Sequence, residues 1–288
     1  MTQDAEDNHG GYHAINLPGN HQEVRARHES NRAGWNEGAV RYSEEIEETI
    51  TYLKSGHSNL HPIEKANLGS LQGWCKTAIH LQCASGRDTL SLLHEGAEQV
   101  VGVDISDVHI DNARKISNAL NMPARWYRCD VLDTPHELDG WADLVYTGRG
   151  ALCWLQDLTS WGIVVARLLK PGGIFHVLDD HPMTWLFDQD SSRLRYAGTP
   201  YFGYAESNVG WPTSYIGELE IPLEKQARKY ERLWTLSDVF MALKSAGLEI
   251  EKLGEHVEPY WNSFPKLDQD QFGKIPLTFS LMARKQKL

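Results

Sequence analysis

Thr77-Ala-Ile-His-Leu-Gln-Cys-Ala-Ser-Gly86-Arg-Asp88 is the stretch on which the reading of the chain turns. Thr77 to Cys83 is an apolar run of the length of one buried strand. Ala84-Ser85-Gly86 is a turn of small residues, and a helical pattern opens at Asp88 with Leu90, Leu92 and Leu93 as apolar positions. Strand, small-residue turn and helix together open a nucleotide-binding unit. Small side chains let the backbone approach a ligand, and the helix N-terminus presents free N–H groups. A second strand, Gln99-Val-Val-Gly-Val-Asp104, ends in an acid 18 residues beyond Gly86. An acid there can accept hydrogen bonds from both hydroxyls of a ribose. A dehydrogenase would share this much, but the Gly-x-Gly-x-x-Gly fingerprint that seats a pyrophosphate is missing. Only Gly86 stands where a glycine is wanted, and a nucleoside without phosphate tolerates bulkier neighbours.

The chain has 288 residues, 41% hydrophobic and 23% charged, enough for one large α/β domain with an elaboration. A net charge of −11 disfavours a bulk nucleic-acid binder, which would show a basic face. The polar, acidic N-terminus reads as neither signal peptide nor anchor, and no apolar run reaches membrane-spanning length. Four scattered cysteines, Cys75, Cys83, Cys129 and Cys153, suit reduced thiols in a cytoplasmic protein.

Outward from the quoted stretch the alternation of strand and helix continues. Ser106 caps a helix with Ala113, Ile116 and Leu120 on its buried face. A third strand, Ala124 to Cys129, leads into Asp130-Val131. A fourth, Asp143 to Thr147, is followed by Gly150-Ala-Leu-Cys-Trp154 and a helix from Leu158. Lys170-Pro-Gly-Gly173 stops that helix and precedes a fifth strand, Ile174 to Leu178, which runs into Asp179-Asp180-His181-Pro182. From about 182 to 232 the chain leaves the βα pattern and is rich in aromatic residues, Gly and Pro. A stretch of that length in a compact domain is usually functional and reads here as a cap over a substrate. A helix from Thr235 and strands Leu248 to Leu253 and Leu277 to Ala283 close the domain. The fold class is α/β: a Rossmann-like, seven-stranded, mostly parallel sheet with helices on both faces. Residues 1–29 read as a flexible tail, 30–65 as an N-terminal helical segment, and 66–288 as the main domain. The helical segment is capped at Ser30-Asn31 and serves as a lid or as an element exchanged between subunits of an oligomer.

These motifs resemble the class I S-adenosylmethionine-dependent methyltransferases, whose usual first motif is acid-x-Gly-x-Gly-x-Gly. This chain reads His80-Leu-Gln82-Cys-Ala84-Ser-Gly86, so His80, Gln82 and Ala84 depart from it, while Asp104, Asp130 and the Leu-Leu-Lys-Pro-Gly-Gly segment restore the likeness. The resemblance implies S-adenosyl-L-methionine as cofactor and S-adenosyl-L-homocysteine as product. It places Gln82, Cys83, Ala84, Ser85, Gly86, Asp104, Ile105, Asp130, Val131 and Thr147 around them, with Asp130 and Val131 facing the adenine. The whole pattern is similar to a bacterial group of small-molecule and natural-product methyltransferases, one of which C-methylates an isoprenoid chain. Methyl transfer from a sulfonium is mainly alignment and exclusion of water, so catalytic side chains leave little trace in sequence. His181 is the expected general base, with Asp180 holding it. Trp35, Tyr42, Tyr201, Phe202 and Trp211 are the expected walls for an apolar or aromatic substrate, and no metal is expected because the fourth strand ends in Thr147 rather than an acid. A non-catalytic nucleoside binder and an NAD-dependent oxidoreductase are the alternatives.

Overall fold

A computed structural model describes residues 11–213 and 215–287. The chain opens with a short strand β1 (His13–Ala14) and three helices, α1 (His21–Glu44), α2 (Ile46–Lys54) and α3 (Pro62–Leu68). The alternating unit follows: β2 (Thr77–Leu81), α4 (Arg87–His94), β3 (Gln99–Asp104), α5 (Asp107–Leu120), β4 (Ala124–Arg128), β5 (Ala142–Gly148), α6 (Leu158–Leu168) and β6 (Leu169–Asp180). The last part comprises β7 (Ala205–Val209), β8 (Arg228–Arg232), α7 (Leu236–Ser245), β9 (Leu248–His256) and β10 (Thr278–Lys285).

Seven strands form one sheet in the order β4-β3-β2-β5-β6-β10-β9, parallel from β4 to β6, with β10 antiparallel to both of its neighbours. The class expected from the sequence is the one observed. Strand residues alternate between two buried layers, as a sheet covered on both faces requires. Ile79, Leu81, Val101, Val145 and Phe175 pack with Trp161 of α6 and Val239 and Leu243 of α7. Ala78, Val100 and Leu144 face the other layer with Leu92 of α4, and Leu53, Leu90 and Ile116 tie α2, α4 and α5 into that side. No helix of the described residues is long and apolar enough to cross a membrane.

Two parts differ from the sequence reading. Helix α1 begins at His21 rather than at Ser30, because Asn20 caps it by accepting the Glu23 N–H at 2.9 Å while Glu23 reaches back to the Gly19 N–H. Much of the expected tail is therefore helix, and residues 1–10 lie outside the described region. The cap is also less irregular than its sequence suggests: β7 and β8 pair antiparallel and form a three-stranded sheet with β1.

Trp126 on β4 shows how the sheet shapes the first loop. A Cβ at Gly102 would stand 2.3 Å from its ring, and one at Gly86 2.5 Å, so the indole fills the space of two missing side chains. Gly102→Ala should overpack this contact and lower unfolding free energy by about 1–3 kcal/mol in urea denaturation. Unchanged stability would show that Trp126 is not held against β3.

Candidate active site

A cleft of about 550 Å³ opens beyond the carboxyl ends of the parallel strands, where ligands of open α/β sheets bind. Its first wall is the loop after β2. Gln82, Ala84 and Gly86, which occupy the glycine positions of the usual motif, have φ of 58°, 45° and 81°. The loop thus keeps the left-handed backbone with a glutamine and an alanine in place of two glycines, at about 1–2 kcal/mol for each non-glycine residue. Asp104, only 9% exposed, holds it there: Oδ2 accepts the Ala84 N–H and Oδ1 the Ser106 N–H, both at 2.8 Å. An ionised carboxylate accepts about four hydrogen bonds, so each oxygen retains capacity toward the cleft. The Gln82 amide donates to Ala151 O at 2.6 Å and leaves its buried Oε1 unpartnered.

Asp130 stands at the next strand tip and also lines the cleft. Its Oδ1 accepts the Leu132 N–H, while Oδ2 receives Arg25 at 2.9 Å and His28 Nδ1 at 2.8 Å, both from α1. His28 Nε2 accepts the Gln156 N–H, which places the ring proton on Nδ1, facing the carboxylate. Burial pushes the Asp130 carboxyl up, but the His28 hydrogen bond, the Leu132 N–H and Arg25 outweigh it and hold it below its ordinary value.

Helix α1 bridges the two halves of the cleft. On one side Asn36 Oδ1 accepts from Ser106 Oγ and the Asp107 N–H, and Arg32 pairs with Asp107. On the other, Asn31 exchanges two hydrogen bonds with the Tyr230 backbone of β8, and Gly34 O accepts from Trp211 Nε1. Between these contacts Trp35 enters an aromatic cluster, its ring centroid 5.1 Å from Trp154 and 4.7 Å from Trp211. Tyr42 and Tyr215 meet hydroxyl to hydroxyl at 3.0 Å beside it.

The loop after β5 closes the floor. Asp179 accepts from the backbone N–H groups of Gly150, Ala151, Leu152 and Asp180 and from the Tyr260 hydroxyl, fixing the loop against the tip of β6. Arg149, at φ 60°, turns its guanidinium to Asp88 and Glu64 in a buried network that includes the Tyr146–Glu64 bond at 2.6 Å. His80, which replaces the usual acid of the first motif, is buried against Thr89 Oγ1, and burial takes its pKa down to about 4.

Asp180 lines both this cleft and an adjoining lobe of about 450 Å³. Trp261 Nε1 donates to its two oxygens at 3.1 and 3.3 Å, and burial with the neighbouring Asp179 raises its pKa to about 7. Glu231 of β8 lines the same two spaces, and burial beside Glu206 raises it to about 8.

Of the residues picked from sequence, Gln82, Cys83, Ala84, Asp104, Ile105, Asp130, Val131, Trp35, Tyr42, Trp211 and Asp180 meet around one cleft. Others do not. His181 is 3% exposed and absent from the walls of both spaces; its Nδ1 accepts the Met183 N–H and its Nε2 faces Glu255, so it caps a turn. Thr147 donates to Leu81 O inside the sheet, and residues 148–151 form the wall in its place. Ser85 turns inward to His109, and Gly86 is the N-cap of α4, packed against Trp126. Tyr201 and Phe202 meet edge to face, ring centroids 5.0 Å apart, away from both spaces, Phe202 being 78% exposed. The end of the fourth strand, Thr147 to Gly150, reads from sequence as bordering the methyl donor, and Arg149 of that segment does line the cleft. Sequence reasoning missed Arg25, His28, Trp154, Asn208, Lys229 and Glu231, of which Trp154 carried a signal because it ends the stretch after the fourth strand.

Comparison with known proteins agrees with this geometry. Residues 78–173 match the methyltransferase-domain family. An uncharacterized methyltransferase of Synechocystis sp. is 32% identical over 147 residues, 49% of this chain and 64% of that one, so the chain covers less than two thirds of that relative. An S-adenosylmethionine-dependent methyltransferase from Mesorhizobium loti shares the fold with a TM-score of 0.52 at 21% identity, over 77% of this chain and 96% of that one. The geranyl diphosphate C-methyltransferase from Streptomyces coelicolor A3(2) gives 0.51 at 15% identity, over 76% and 73%. Residues 78–173 therefore match a methyltransferase domain, and the chain shares its fold with solved S-adenosylmethionine-dependent methyltransferases, a likeness that implies S-adenosyl-L-methionine as cofactor.

The residues present fit that cofactor: the left-handed loop, a buried acid with spare acceptor capacity and an orphaned Gln82 oxygen all face one space. Asp104→Ala should weaken S-adenosyl-L-homocysteine binding by about 1.5–3 kcal/mol in titration calorimetry, the cost of losing hydrogen bonds to a charged acceptor. Unchanged affinity would remove Asp104 from the ribose site.

Proposed function

We propose that the protein transfers a methyl group from S-adenosyl-L-methionine to a small molecule with an apolar or aromatic body, a secondary metabolite, and that Asp180 takes the proton of the acceptor. The observation that carries this reading is one continuous space lined by Asp104 and Asp130 at two strand tips, by Asp180, and by the clustered indoles Trp35, Trp154 and Trp211. When bound, the cofactor supplies an electrophilic methyl carbon on a sulfonium. Asp104 would hold the ribose, while Asp130, Ile105 and Val131 would flank the base. Arg149 and Asp88, with Gln82 Oε1, would meet the charged amino-acid end. The three indoles exclude water and offer negative ring faces to the positive charge handled here. Those faces would equally favour C-methylation of an isoprenoid alkene through a carbocation, and the fold is shared with enzymes named for geranyl diphosphate.

Helix α1 acts in this reading as a lid on its own chain, since Arg25, His28, Asn31 and Asn36 all bind residues of the main domain. Four unpaired cysteines suit a reducing, cytoplasmic setting.

Asp180 is a proton acceptor only when ionised. Its pKa is raised to about 7, so the competent form is absent well below that pH and gained as pH rises through it. Turnover should therefore climb across about pH 7, and Asp180→Asn should lose that limb and at least about a hundredfold in kcat. His181→Gln, outside the cleft, should stay within about threefold of the parent. The reverse ranking of the two variants would return the base to His181.

A further inference from the structure

The inner face of the cap sheet is polar where an apolar wall would be expected. The register of β7 against β8 sets Glu206 opposite Glu231 and Asn208 opposite Lys229, all on one face. Asn208 and Lys229 line the main cleft, Glu206 the adjoining lobe, and Glu231 both. Asn208 is 1% exposed, and neither its Nδ2 nor its Oδ1 has a partner. A buried amide with both ends unmatched is destabilising unless a ligand supplies the missing bonds. The three cations of β8 are engaged elsewhere: Arg228 donates to Ser207 Oγ, Lys229 donates to Gly210 O with its ammonium 4.3 Å from the Trp211 ring centroid, and Arg232 donates to Gln156 O over the Trp234 ring. Asp180 stands across from these strands at the tip of β6, on the wall of both spaces.

We propose that the acceptor is an amine taken up as its ammonium, with Asp180, Glu231 and the Asn208 carbonyl oxygen accepting its N–H groups and the Trp35–Trp154–Trp211 wall holding its carbon body. This rests on the methyltransferase reading and specifies its substrate class. An anionic acceptor, a diphosphate or a carboxylate, would bring like charge against Asp180, Glu231 and Glu206, whereas an ammonium is favoured by the carboxylates and the indole faces together.

The step balances. The ammonium gives one proton to the Asp180 carboxylate and recovers its lone pair. The N–C bond to the methyl group forms as the S–C bond breaks, and the bonding pair stays on sulfur as a neutral thioether. The product leaves as a methylated ammonium, and Asp180 releases its proton to solvent.

The electrostatic setting agrees. Around Asp180 stand Asp179, Tyr260, Trp261 and Cys153; around Glu231 stand Glu206, Lys229 and Cys153. Burial raises the two acids to about 7 and about 8, so both are partly protonated near neutral pH. An ammonium beside them favours their ionised forms, and its binding near pH 7 must expel protons, which a neutral ligand of the same shape does not require.

Titration calorimetry tests this without turnover. S-adenosyl-L-homocysteine is titrated first, and the saturated protein then receives phenethylamine, 2-phenylethanol or 3-phenylpropionate near pH 7, in two buffers of different ionisation enthalpy. The amine should bind at least about tenfold more tightly than the alcohol, with net proton release, and the carboxylate most weakly. Glu231→Gln and Asn208→Leu should each reduce the amine's preference with affinity for S-adenosyl-L-homocysteine intact. If either variant fails to fold, the three probes on the parent protein decide alone. A preference below about tenfold, no proton release, or no saturable amine binding up to about 10 mM overturns the proposal. Absence of S-adenosyl-L-homocysteine binding would instead strike the methyltransferase reading itself.

Discussion

The hydrogen bond from the Ala84 N–H to the Asp104 carboxylate is the interaction on which the cofactor half of the molecule depends. It joins the loop after one strand to the tip of the next, and it does so where the backbone of Gln82 and Ala84 takes a conformation that L-residues disfavour. Without that anchor nothing from Asp104 would hold the Ala84 backbone in its left-handed conformation. Trp126 supports the same loop from the far side, filling the space above Gly86 and Gly102. A buried acid and a large indole thus stand in for the flexibility that additional glycines would have supplied.

Asp179 plays the matching part on the acceptor side. Its five donors gather residues 150–152 and Tyr260 around one carboxylate and leave Asp180 as the acid that faces open space. Adjacent residues of one strand point to opposite sides, and here that alternation separates a structural acid from a chemically available one.

The sheet was legible because its signals are local: apolar runs of strand length, acids at strand ends and Lys170-Pro-Gly-Gly173 each sit within a few residues. The two acids at strand tips that line the cleft were legible for the same reason. The cap strands were not. Ala205-Glu-Ser-Asn-Val209 and Arg228-Lys-Tyr-Glu-Arg232 show no apolar–polar alternation, and the positions that line the two spaces carry Glu206, Asn208, Lys229 and Glu231. A rule for strands that bury an apolar face fails where the face lining a cavity is polar. His181 misled for a different reason: its place after the fifth strand was correctly read, but the direction of its ring is set by Met183 and Glu255, which proximity in sequence to Asp180 does not reveal. The contacts of Arg25 and His28 with Asp130 span more than a hundred residues and have no local signature.

Helix α1 lies so close to the cap that two of its positions have no room for a side chain. A Cβ at Gly34 would come within 2.6 Å of the Lys229 stem, and one at Gly38 within 2.9 Å of the Trp211 indole. These two positions therefore act as the calibre of the cleft: bulk added at either would press against Lys229 or Trp211 of its wall and drive the cap outward. In descendants of this fold, preference for larger or smaller guests could drift through that pair of residues alone, leaving the sulfonium site untouched.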